Sequence, residues 1–182
     1  MRTPHQILGP FFPLGLRPAT QGDLTIVEGA DGHAQGEIIE VTGRVLDDRG
    51  KPVPGASLTI WQANSFGRYV HPNDLNPAPL DPNFVGFATI QSGNDGSYRI
   101  RTVKPGPYPV GPHWMRAPHI HLEVQGQFER LITQMYFPGE PLNACDRLLM
   151  SVAEPDLLIA KLVPSTPGHQ RALKFDIILA RG

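Results

Sequence analysis

Ala117-Pro118-His119-Ile120-His121-Leu122-Glu123-Val124 decides the fold. Ile120, Leu122 and Val124 alternate with His119, His121 and Glu123. A period of two marks a strand with one face on a core. Residues i and i+2 then share a face, so both imidazoles can reach one ion. Around this strand, at 120–124, lie more short and partly alternating runs, at 38–47, 57–62, 86–91, 97–103, 131–137 and 173–179. They are rich in Val, Ile, Leu, Thr and aromatics, the residues that fit a pleated, half-buried surface. Asp47-Asp48-Arg49-Gly50-Lys51 and Asn94-Asp95-Gly96-Ser97 carry hairpin or tight-turn chemistry. Helix signals are few, and residues 154–161, with Pro155 in the first turn, would open a short one. The expected fold is all-β: an antiparallel β-sandwich with long functional loops and little helix.

A chain of 182 residues favours one domain, here an N-terminal segment 1–35 and a sandwich core 36–182. A net charge of -1 offers nucleic acid no basic stripe. No apolar run approaches the roughly 20 residues that span a bilayer. Met1-Arg2-Thr3-Pro4-His5 has no apolar stretch of the signal-peptide kind. Cys145 is the single cysteine, so no internal disulfide forms. A cytoplasmic protein that binds neither nucleic acid nor membrane is expected.

Two proline-rich stretches, 65–85 and 105–118, are long enough to be functional loops. Each holds one notable tyrosine, Tyr69 and Tyr108. Proline fixes φ, so such loops can be stiff without regular structure. His-x-His alone is weak, because strand histidines on solvated faces are common. A tyrosine alone is weaker, since most are half-buried with a partnered hydroxyl. Together, two imidazoles and two phenolates form an unusual donor set. Phenolate is a hard anion that suits highly charged iron better than zinc or copper(I). With an ordinary phenol pKa of about 10, its ionisation calls for a strong Lewis acid.

Ordered motifs extend the pattern. Gly43-Arg44-Val45-Leu46-Asp47-Asp48-Arg49-Gly50-Lys51-Pro52-Val53-Pro54-Gly55-Ala56 leads into Ile60-Trp61-Gln62-Ala63-Asn64 and Gly67-Arg68-Tyr69. Lys104-Pro105-Gly106-Pro107-Tyr108-Pro109, Arg116-Ala117-Pro118-His119-Ile120-His121 and Leu131-Ile132-Thr133-Gln134-Met135-Tyr136-Phe137 follow. From about Gly36 to Arg181 the chain resembles the intradiol ring-cleavage dioxygenases, most of all the iron-bearing β subunits of protocatechuate 3,4-dioxygenases.

The resemblance implies a ferric ion, Fe(III), and no organic cofactor. It implies that Tyr69 is a permanent phenolate ligand and Tyr108 the phenolate that leaves when substrate binds. His119 and His121 are the implied imidazole ligands, with Arg116 and Gln134 over the substrate ring. The implied reaction uses O2 to cleave a catechol, 3,4-dihydroxybenzoate or a related substituted catechol, between its hydroxylated carbons. The product is a cis,cis-muconate-type diacid. An oligomer is implied, of this chain alone or with a related subunit.

Charge counting agrees with the two tyrosine roles. A tripositive ion with two phenolates and one hydroxide is neutral. It stays neutral when a catechol dianion replaces the hydroxide and one phenolate, and a buried centre avoids the cost of net charge. The departing bases accept the two catechol protons.

Outside the ligand set, the family's protocatechuate enzymes carry Trp-Arg after the second loop's Tyr-Pro, where this chain has Val110-Gly111. Trp114, His113 and Arg17 are candidate contacts for a ring substituent. Gly9-Pro10-Phe11-Phe12 resembles the family's Gly-Pro-aromatic segment and is expected to line a neighbouring subunit's pocket. Arg116 also reads as a surface arginine, Gln134 and Trp61 as packing residues, and His71 as a solvated loop histidine. The alternative from another class is a non-enzymatic transthyretin-like β-sandwich binding module, for which residues 45–56 also fit. Another is the same fold carrying a ferrous extradiol or hydrolytic zinc site.

Overall fold

The structure, a computed structural model, describes residues 1–13, 22–111, 113–165 and 171–180. Arg17, a candidate substituent contact, lies outside them. The first strands in chain order are β1 (Ile38–Asp47), β2 (Ser57–Trp61), β3 (Phe87–Gln91) and β4 (Ser97–Val103). Then come β5 (Tyr108–Pro109), β6 (Met115–Arg116), β7 (His119–Gln125) and β8 (Arg130–Tyr136). The last are β9 (Lys161–Val163), β10 (Arg171–Lys174) and β11 (Ile177–Leu179). The expected helix after Glu154 is a short 3-10 turn, Pro155–Leu158.

One sheet is antiparallel throughout, in the order β3-β2-β7-β8. The other is built on β1, which pairs antiparallel with β4 and parallel with β10 and β11, while β9 pairs with β10. The sandwich is the one expected, with parallel pairings that alternation does not reveal. The run at 173–179 divides into β10 and β11. At the break the Asp176 carboxylate takes the Arg44 N–H, in place of a ladder carbonyl, at 3.0 Å.

Both turn signals mark tight turns, with Gly50 N–H donating to Asp47 O and Gly96 N–H to Gly93 O. The first turns the chain back along the end of β1, with Asp47 N–H donating to Lys51 O, Val53 N–H to Val45 O and Leu46 bridged antiparallel to Pro52, whereas the second joins β3 and β4, which lie in different sheets.

Ile39, Val41 and Val45 of β1 meet Leu58, Ile60, Ile120, Leu122 and Val124 of the facing sheet in one buried cluster. Each such side chain contributes roughly 1.5–3 kcal/mol when fully buried. With Ile120, Leu122 and Val124 inside, His119 and His121 must point to the opposite face of β7. The proline-rich loops and the N-terminal segment cover that face. The segment is tied down first by Thr3 N–H donating to Ile178 O, then by Gln6 N–H donating to Ile132 O on the edge strand β8. It thereby covers part of an otherwise open sheet edge.

Candidate metal centre

Strand register assembles half of the site. Trp61 and Gln134 both lie opposite His121, and Tyr136 lies opposite His119. Cross-strand partners share a face, so these five side chains form one patch on the outer side of the sheet. The β5–β6 ribbon places Tyr108 opposite Arg116 and leads straight into β7. Tyr69 arrives on the loop after β2. Asn64 shapes that loop: its Oδ1 accepts the Phe66 and Arg68 N–H groups, and its carbonyl accepts those of Gly67 and Gly106. Asp74 closes the loop by accepting the Tyr69 N–H at 2.6 Å.

The four candidate ligands come together. His119 Nε2 is 3.2 Å from His121 Nε2 and 3.3 Å from Tyr108 Oη. The rings of Tyr69 and Tyr108 meet edge to face at 5.5 Å, and those of Tyr69 and His121 at 6.3 Å. All four side chains are buried. Tyr69 Oη is buried with no hydrogen-bond partner. His119 Nδ1–H donates to Ala117 O at 2.6 Å, which leaves its Nε2 as a lone pair aimed at His121 and Tyr108. His121 is oriented by stacking instead, its ring 4.8 Å from that of Trp61 at an interplanar angle of 13°.

Protonation follows from burial. Both imidazoles are held well below their ordinary pKa, by burial first and then by neighbouring charge, from Arg116 for His119 and from His119 and Arg116 for His121. Burial pushes both phenols up, Tyr69 further through the neighbouring Tyr108, while Arg116 pulls back on both. Neutral imidazole lone pairs and one unpartnered hydroxyl converge here, a donor set that fits a cation. Among the described residues no three His, Cys, Asp or Glu side chains gather to hold a metal. Anionic ligands at this place would therefore come from the tyrosines. Phenolate donors with neutral imidazoles fit a hard ferric ion.

Arg116 is no surface arginine; it is 3 % exposed. Its Nε–H donates to Asp146 at 2.8 Å, and Nη2 donates to Gln134 Oε1 at 2.7 Å and to Tyr136 Oη at 2.9 Å. Gln134 sits behind Arg116 and donates to Ile7 O rather than facing a ligand space. Tyr136 lies in the motif at 131–137 without being singled out there, and no local motif marks Asp146.

A cavity of about 500 Å³ opens beside the centre. Tyr108, His121, Arg116 and Trp114 line it, whereas Tyr69 does not. Tyr69 lies under Phe11, with ring centroids 4.7 Å apart, and Phe12 packs on Trp61 at 5.0 Å. The Gly-Pro-aromatic segment thus covers this chain's own site. His113 is exposed and is not among the lining residues, and His71 accepts the Asn73 N–H within its own loop.

A family model described as a dioxygenase matches residues 7–181. The protocatechuate 3,4-dioxygenase beta chain of Burkholderia cepacia is 46% identical over 166 residues, covering 86% of this chain and 70% of that one. The alpha chain from the same organism is 33% identical over 190 residues, covering 97% and 91%. Among solved structures, the dioxygenase domain of a dioxygenase carbohydrate-binding protein fusion from Streptomyces sp. SirexAA-E matches with a TM-score of 0.75 at 31% identity, over 100% of both chains. Matches of this length and identity make the chain an enzyme of the intradiol ring-cleavage dioxygenase family.

Proposed function

We propose that Tyr69, Tyr108, His119 and His121 hold a ferric ion, and that the enzyme cleaves a catechol between its two hydroxylated carbons with O2. The substrates in view are 3,4-dihydroxybenzoate and related substituted catechols, and the product is a cis,cis-muconate-type diacid. Ferric ion, when bound, supplies the Lewis acidity that ionises phenols and catechol hydroxyls and the redox partnership that opens the ring to O2.

One observation carries the division of labour: Tyr108 lines the cavity and Tyr69 is sealed beneath Phe11. Tyr108 Oη can meet an incoming catechol and accept its proton. Tyr69 has no such access and stays a fixed anionic donor. The histidines remain neutral donors, because burial already disfavours their protonated forms. Arg116 faces the same cavity with a positive charge held in place by Asp146, which stabilises negative charge building on the ring.

Purified enzyme supplied with ferric iron is expected to be red from phenolate-to-iron charge transfer, and to consume one O2 per catechol. A colourless protein without O2 uptake on any catechol overturns the proposal. An assembly of copies of this chain, or of this chain with a related subunit, belongs to the same proposal, and the alpha and beta chain relatives support it. So does a cytoplasmic location, which suits a chain with a single cysteine.

A further inference from the structure

Two guanidiniums lie against the Trp114 ring, and they differ in what else they hold. Arg116 Cζ is 5.7 Å from the ring centroid and Arg147 Cζ 5.6 Å. The Arg116 charge is matched by buried Asp146. Arg147 is exposed and, among the described residues, pairs with no carboxylate. Its place in the chain is nevertheless fixed. It stands between Asp146, whose Oδ1 accepts the Leu148 and Leu149 N–H groups, and Leu148, which lines the cavity beside Tyr108. Trp114 lines the same cavity, and its carbonyl accepts the Val110 N–H at 2.7 Å, which ties it to the ribbon that carries Tyr108. Arg147 therefore sits at the outer edge of the cavity, against one lining residue and next in sequence to another.

This placement bears on how the cavity reads a ring substituent, an inference that rests on the function just proposed. A catechol that meets Tyr108 with its hydroxyls carries its ring into the rest of the cavity, whose walls include Trp114 and Leu148. A carboxylate on that ring needs a cation, because a desolvated charge without a partner is costly. Arg116 is already engaged by Asp146, Gln134 and Tyr136. Asp74 also lines the cavity, but its oxygens are turned to its own loop, Oδ2 accepting the Tyr69 N–H and Oδ1 the Asn76 N–H. Arg147 has only its contact with Trp114 to give up, and a cation–π contact at an exposed site is weak. A guanidinium gains more from a carboxylate, which it meets through two parallel charge-assisted hydrogen bonds. We infer that Arg147 binds the ring carboxylate of a catechol acid and so selects 3,4-dihydroxybenzoate over catechols with an uncharged substituent.

Anaerobic equilibrium dialysis of the iron-loaded full-length chain tests this without turnover. Arg147→Gln is expected to weaken 3,4-dihydroxybenzoate binding roughly tenfold and to leave 4-methylcatechol binding unchanged. Arg147→Lys, which keeps the charge but not the planar fork, is expected to recover part of the loss. Unchanged carboxylate binding in Arg147→Gln overturns the inference, and so does an equal loss for both ligands. Oxygen uptake in the same samples, once aerated, separates this inference from the oxygenase reading. Selective loss of carboxylate binding without uptake on either catechol supports the role of Arg147 and sinks the oxygenase reading. Uptake on both catechols, with Arg147→Gln binding each as the wild type does, sinks the Arg147 inference alone.

Discussion

Asp146 accepts the Arg116 Nε–H at 2.8 Å where both side chains are almost wholly buried, and the same carboxylate oxygen accepts the Ala117 N–H at 2.9 Å. Ala117 in turn offers its carbonyl to His119 Nδ1–H. A single carboxylate therefore positions the cavity's guanidinium and, through one peptide unit, the tautomer of a candidate ligand. Its other oxygen accepts the N–H groups of Leu148 and Leu149, so Asp146 itself is firmly held.

Asp146→Asn leaves the guanidinium buried without its counter-charge, a class of change that costs about 3–5 kcal/mol. Urea unfolding is expected to register that loss. In the fraction that folds, kcat should fall further than KM rises, because a loosened Arg116 weakens stabilisation of charge that builds during reaction. A variant with wild-type kcat would limit Asp146 to a structural part.

The two tyrosines should separate in a proton count. With both phenols raised by burial, each is protonated in the metal-free protein at neutral pH. Ferric binding with two phenolates and one hydroxide is then expected to release about three protons, two from the phenols and one from water. Tyr108→Phe should release one fewer, keep most of its iron and turn over slowly, whereas His121→Ala should lose iron and activity together. Equal turnover in Tyr108→Phe would take that residue out of the proton chemistry.

The histidine pair was legible because its pattern is short-range, whereas Tyr69 and Tyr108 entered only through the resemblance of ordered motifs. Alternation in β7 placed His119 and His121 on one face, and the apolar partners Ile120, Leu122 and Val124 showed which face was inside. Asp146 was not legible. It lies 30 residues from Arg116 and meets it only through the tertiary fold. The parallel pairing of β10 and β11 with β1 was hidden for a similar reason, since residue periodicity reports a strand's faces and not its neighbours. The place of Phe11 over Tyr69 depended on how the N-terminal segment crosses β8, which local pattern does not encode.

The metal-free protein should weaken in mild acid. Burial and neighbouring positive charge keep His119 and His121 neutral in the folded state, whereas in the unfolded chain each takes up a proton near pH 6.5. Below that value the unfolded state binds more protons than the folded one, so stability falls as pH falls. Two such groups give a slope of up to about 2.7 kcal/mol per pH unit, flattening above roughly pH 7.5. Urea midpoints of the metal-free chain between mild acid and neutral pH check this. His119→Gln should approximately halve the slope, and an unchanged slope would assign it to other groups.

Gly67 and Gly106 stand two residues before Tyr69 and Tyr108, and the two loops touch through them. A Cβ on Gly67 would lie 2.2 Å from Pro107 O, and one on Gly106 would lie 2.5 Å from Ser65 O. Gly67 also has a φ of +83°, a conformation that side chains disfavour. Alanine at either position must push the two backbones apart and carry the phenols with them. Gly139 provides the control: its φ is +71°, but a Cβ there would meet nothing within 4 Å. Gly139→Ala should therefore cost about 1 kcal/mol of stability and leave iron affinity alone. Gly106→Ala and Gly67→Ala should lose at least roughly tenfold in ferric affinity, because a displacement near 1 Å at a preorganised site has large effects. Chelator competition, scored by loss of the charge-transfer band, reads this directly. Wild-type affinity in both variants would show that the loops set the tyrosine positions independently of each other.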